Sequence, residues 1–162
     1  MNVKSISLGM VLGVLLASAA ALAYDACRYL AASAPASATA VEKPLLGFSV
    51  DPGWVKSGTP HFRNSETTRS PDGKTISGLW ACDGPSTFEW RFHMDETVHL
   101  LEGQVEVDYQ GRHFTLRPGD TATFHAGTQA VWHVPRNAKK AYTLYQPPRL
   151  VSLWRRLAAA KT

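Results

Sequence analysis

Apolar and polar positions divide this chain into regions of different period. Ile6 to Ala23 reads ISLGMVLGVLLASAAALA, an apolar run that no charge interrupts, with Lys4 just before it. About 18 residues is the lower limit for a helix that spans a bilayer. A basic start, an apolar middle and small residues at Ala21 and Ala23 are also the marks of a secretory signal with an A-x-A cleavage site. The pattern predicts that residues 1–23 are a signal peptide or a membrane anchor. Either way the remainder is expected outside the cytoplasm, free in the periplasm or extracellular space or tethered to the membrane, with Lys4 on the cytoplasmic side.

Residues 24–54 are a lead-in whose middle, Ala31 to Ala40, reads AASAPASATA. Small residues and Pro cannot build a core, so this is expected to be a linker. From about residue 55 to 146 the period changes to two: short runs rich in Thr, Val, Phe, Trp and Tyr alternate with Gly, Pro, Asn and Asp. Pro71-Asp72-Gly73 predicts a turn between strands at His61–Arg69 and Lys74–Ala81. Gln110-Gly111-Arg112 predicts a second hairpin, between Val105–Tyr109 and His113–Leu116. Further strands are expected at Ser86–Phe92, Thr97–Leu101, Thr121–Phe124, Ala130–Val134 and Ala141–Tyr145. No helix of ordinary length fits between them, so the domain is all-β, a sandwich or a jelly roll. Beyond Pro147-Pro148, Leu150, Leu153, Trp154 and Leu157 recur at helical spacing beside Arg149, Arg155 and Arg156. Residues 147–162 are therefore expected to form a short basic amphipathic helix, packed on the domain or touching an anionic membrane surface.

Composition changes this picture little. The net charge of +4 over 162 residues is spread along the chain without a Lys/Arg stripe interleaved with aromatics, which argues against a nucleic-acid partner. Two cysteines, Cys27 and Cys82, do not make a disulfide framework, although an oxidising compartment would permit a bond between them.

Two stretches carry chemistry. Gly84, Glu96 and Gly103 stand in GPSTFEWRFHMDETVHLLEG, and Gly119 and Gly127 in GDTATFHAGTQA. Their spacing resembles the two motifs of the cupin superfamily, G(x)5HxH(x)3–4E(x)6G and G(x)5PxG(x)2H(x)3N. The resemblance implies a cupin jelly-roll β-barrel, with Gly103 and Gly119 at tight corners. In metal-binding cupins it also implies two His, a Glu and a third His as ligands. The matching positions here are Trp90, Phe92, Glu96 and Ala130. One carboxylate does not hold a transition metal, so no cofactor is expected. The alternative is a divalent metal held by Glu96, His93 and His125.

Trp90, Asp95-Glu96, Leu101-Glu102-Gly103, Trp132, Lys140 and Tyr142 further resemble cupins of the (S)-ureidoglycine aminohydrolase type. With the histidines replaced, the expected site is an apolar pocket made by Trp90, Phe92, Glu96, His125, Trp132 and Lys140. Glu96 is its fixed polar contact, with Lys140 or Arg91 as the neutralising cation. The protein is expected to be an exported or membrane-anchored cupin that binds a small molecule. One alternative is an enzyme on a small nitrogenous or carbohydrate-like metabolite: a divergent aminohydrolase, an isomerase or a lyase. The other is a structural module that forms a homodimer through edge strands.

Overall fold

The computed structural model describes residues 3–31, 44–148 and 151. The expected linker at 31–40, apart from Ala31 at the end of a helix, and nearly all of the expected C-terminal helix at 147–162 lie outside the described residues. The chain divides into two compact units, Met1–Ser37 and Ala38–Thr162.

The first unit is one helix, α1 (Val3–Ala31). It runs past the apolar stretch because residues 24–31 contain neither Gly nor Pro to stop it. Its segment Gly9–Arg28 has a mean hydropathy of 1.8 over 20 residues, about 30 Å of helix at 1.5 Å per residue, the depth of a bilayer's hydrocarbon. Met10, Leu12, Leu15, Leu16 and Leu22 are exposed on it, so the helix has apolar side chains all round and no core of its own to bury them in.

The second unit has eleven strands: β1 (Leu46–Gly47), β2 (Val55–Gly58), β3 (Phe62–Arg69), β4 (Thr75–Asp83), β5 (Ser86–Arg91), β6 (Asp95–Gly103), β7 (Val105–Tyr109), β8 (Arg112–Leu116), β9 (Thr121–Phe124), β10 (Gln129–Val134) and β11 (Asn137–Tyr145). They form two antiparallel sheets, ordered β1-β3-β4-β11-β6-β9 and β2-β5-β10-β7-β8. This is the all-β jelly roll the sequence predicts. Both hairpins form as expected, β3 with β4 and β7 with β8. At the first, Asp72 Oδ1 accepts from Ser70 Oγ (2.7 Å) and from the Lys74 backbone N–H (3.1 Å), which fixes the turn.

Alternation along the strands sends one set of side chains between the sheets. On β6, Glu96, Val98 and Leu100 are buried while Thr97, His99 and Leu101 are exposed. On β11, Ala138 and Lys140 are buried and Tyr142 half-buried. Phe62, Trp80, Phe88, Phe92, Phe124 and Trp132 supply the bulk of the core. At the β6–β7 corner Gly103 has φ +78°, and a Cβ there would run into the Asn137 carbonyl, so only glycine fits.

Candidate functional site

The site is built on the inner face of the larger sheet. Register places Asn64 of β3 beside Trp80 of β4, and Trp80 beside Lys140 of β11. One step along, Tyr142 of β11 lies across from Gly78 of β4. Gly78 has no side chain, and the Tyr142 ring occupies the space where a Cβ would stand. Glu96 faces Leu144 from β6. Trp90, at the end of β5, reaches in from the smaller sheet, and Phe92 follows it in the connection to β6.

Between them is a cavity of about 220 Å³, lined by Phe48, Asn64, Trp80, Trp90, Arg91, Phe92, His93, Met94, Glu96, Tyr142 and Leu144. Behind it stands a buried ion pair: Lys140 Nζ donates to Glu96 Oε1 at 2.6 Å, with the side chains 2% and 7% exposed. Three indoles surround the ammonium, their ring centres 4.4 Å (Trp132), 5.0 Å (Trp80) and 5.8 Å (Trp90) from Nζ. A ring face is a favourable, if weak, partner for a cation that water cannot reach. Burial still pushes the Lys140 pKa below its ordinary value, against the opposing pull of Glu96. The Tyr142 hydroxyl moves upward, first through burial and then through the negative charges of Glu66 and Glu96. It therefore stays a protonated donor at neutral pH. The indole N–H groups of Trp80 and Trp132 are buried without a hydrogen-bond partner.

The expected pocket residues separate into three groups. Trp90, Phe92 and Glu96 line the cavity. Lys140 and Trp132 lie behind it, as the partner of Glu96 and as one wall of the lysine's cage. His125 does not join them. Its backbone N–H donates to Tyr109 Oη (3.0 Å), and its half-exposed ring turns toward Asp95 (3.6 Å). Of the two cations considered for Glu96, Lys140 is the one that binds it. Arg91 donates to Glu89 (2.9 Å) and lies over Trp54. Trp80, Asn64 and Phe48 are cavity residues that sequence reading missed. Trp80 and Asn64 had a signal, since both sit on the inward phase of predicted strands; Phe48 precedes the first strand predicted.

The residues do not fit the metal of metal-binding cupins. At the matching positions Trp90 and Phe92 present rings, Ala130 presents a methyl group, and Glu96 is engaged by an ammonium that would repel a cation. The alternative set Glu96, His93 and His125 is not gathered either, because His125 faces Asp95. Among the described residues no group of three or more His, Cys, Asp or Glu side chains could hold a metal ion. Cys27 is exposed and Cys82 buried, and both are free thiols.

Two sheets closed into a jelly roll, with Trp90 of β5 and Glu96 of β6 from the first motif beside one small cavity, define a cupin-type barrel. Residues 69–142, a little under half of the chain, match the family model for the EutQ-like cupin domain. Among solved structures, a protein of unknown function of the DUF861 family from Pseudomonas syringae pv. tomato superposes with a TM-score of 0.61 at 22% identity, over 69% of this chain and 48% of that one. The EutQ protein of Clostridium difficile does so with a TM-score of 0.50 at 18% identity, over 60% of this chain and 75% of that one. A protein of unknown function from Rhizobium leguminosarum gives 0.50 at 18% identity, over 57% and 86%. These likenesses show the fold. A comparison with curated proteins finds no match.

Proposed function

We propose that this is a small-molecule-binding cupin whose ligand enters the cavity beside Glu96, and that α1 carries the barrel out of the cytoplasm as a signal or an anchor. The observation that supports binding is the pairing of an aromatic-walled cavity with polar groups that the fold leaves unused. Neither the Asn64 amide nor the Tyr142 hydroxyl, both in the cavity wall, is hydrogen-bonded to another described residue. Pockets of this kind, mostly apolar with a few convergent polar groups, are where small ligands bind.

A thermal-shift panel of carboxylates, amines, ureides, sugars and small aromatics on the full chain tests this. At least one class is expected to raise the melting temperature by several degrees at saturating concentration. It should lose that effect in Leu144→Trp, where an indole fills the cavity. A flat panel overturns the reading.

A second reading is catalytic. The residues that resemble the ureidoglycine aminohydrolase type include Trp90, Glu96, Trp132, Lys140 and Tyr142, and these converge on the cavity and its ion pair. A carboxylate touching both a buried amine and the cavity wall could move a proton to or from a bound ligand. Release of ammonia from ureides by wild type, abolished in Glu96→Gln, would support it; no release from any ureide removes it.

A further inference from the structure

The charge inventory of the cavity narrows the ligand. Glu96 and Lys140 are in contact at 2.6 Å, so wherever the proton sits between Oε1 and Nζ, the pair carries no net charge. At the rim Arg91 (2.9 Å) and Lys56 (3.7 Å) share the single carboxylate of Glu89, and both cations stand half-exposed to water. The remaining wall is mostly apolar, with Phe48, Trp80, Trp90, Phe92, Met94 and Leu144; Asn64, Tyr142 and the exposed His93 are its polar members. An ion entering such a space would lose its hydration and find no buried opposite charge free to meet it: pairing with Glu96 means displacing Lys140, and the rim cations keep to the water. A polyol would leave most of its hydroxyls against rings. The space suits one ring: an apolar cavity of about 150 Å³ is enough for benzene, and this one, open on one side, is about 220 Å³.

We propose that the ligand is a neutral, single-ring molecule with one or two hydrogen-bonding groups, of the class of phenols and aromatic alcohols. This rests on the reading of the cavity as a ligand site. The ring lies among Trp80, Trp90 and Phe92. A ligand hydroxyl donates to Glu96, and its oxygen accepts from the Tyr142 hydroxyl. The indoles already hold the one cation the site needs, Lys140, so a second cation gains nothing from them.

Four probes of similar size separate the possibilities: 4-hydroxybenzyl alcohol (neutral), 4-hydroxybenzoate (anion at pH 7), tyramine (cation at pH 7) and glucose (polyol). Each is titrated calorimetrically into the detergent-solubilised full chain and into Tyr142→Phe. The neutral phenol is expected to bind at least about ten-fold tighter than the other three, and Tyr142→Phe to weaken it about ten-fold, the worth of one good hydrogen bond. Equal or tighter binding of either ion or of glucose overturns the proposal and leaves the ligand-site reading standing. Binding of the phenol unchanged by Tyr142→Phe overturns it as well, since the probe then sits elsewhere. Silence from all four, with a hit elsewhere in the thermal-shift panel, removes the proposed class alone. Silence in both experiments removes the ligand site with it.

Discussion

Lys140 shows how one residue can fix both a fold and a site. A lysine 2% exposed among three tryptophans is tolerated because Glu96 meets it. Removing one partner leaves the other buried and unpaired, which typically costs about 3–5 kcal/mol, whereas replacing both with apolar residues of similar volume is often neutral. Lys140→Met is therefore expected to lower stability by about that amount in chemical denaturation, and Lys140→Met/Glu96→Leu to recover most of it. A double variant no more stable than the single one would deny the coupling. With Lys140 in contact, Glu96→Gln is expected to destabilise by more than about 1 kcal/mol. Cys82 makes a second prediction at this scale. It is fully buried, and burial pushes its thiol from 9.0 to about 11. Between those values the unfolded chain has released a proton that the folded chain still holds, so stability falls as pH rises from 9 to 11. Cys82→Ala should show a shallower fall than wild type, by on the order of 2 kcal/mol across that window, in urea melts at pH 8, 9, 10 and 11. Equal slopes would mean the thiol does not titrate there.

At the level of elements, the corners limit what substitution the barrel accepts. Gly103 and Gly111 both have positive φ, +78° and +74°, but they differ in surroundings. At Gly111 a Cβ would meet nothing within 4 Å, whereas at Gly103 it would collide with the Asn137 carbonyl. Gly111→Ala is expected to cost about 1 kcal/mol of backbone strain, and Gly103→Ala clearly more, with broadened spectra from residues of β6 and β11. Similar losses at the two positions would show that strain alone, not the close approach, sets the requirement. The contrast also explains what could be read in advance. Strands such as β6 and β11 announced themselves because nine residues give several alternations of more and less buried side chains. β1 and β2, of two and four residues, have too few alternations to register and rely on pairing with β3 and β5. The same limit applies to the site. Glu96 and Trp90 stood out through motif spacing, and Lys140 through the family likeness. That Asn64 stands beside Trp80, and Trp80 beside Lys140, is a fact of register between distant strands, which periodicity within one strand does not contain.

At the scale of the whole molecule, the two units ask for different solvents. The barrel buries its large apolar side chains, whereas α1 exposes apolar residues all round over a length that matches a bilayer. A 20-residue segment with Asp25 and Arg28 only at its C-terminal end has nothing charged to bury in a membrane, and Lys4 at the other end favours the orientation in which the barrel leaves the cytoplasm. A fusion of alkaline phosphatase after Tyr145 in a bacterial host should therefore be active, since that enzyme needs an oxidising compartment for its disulfides, and a fusion to a chain starting at Pro44 should not. Insertion of two lysines between Leu15 and Leu16 should abolish export through the cost of charge in the apolar run, about 2.5–3.5 kcal/mol for each at a helix centre. An inactive full-length fusion would place the barrel in the cytoplasm. Extraction then separates the two forms that export allows. A retained anchor keeps the exported chain in the membrane pellet at alkaline pH with its full mass, whereas cleavage near Ala23 releases a chain shorter by about 23 residues. If the fusion is active, the proposed ligand must reach the cavity from outside the cytoplasm, and probes that do not cross membranes should then raise the melting temperature of the barrel in intact cells with a permeable outer layer.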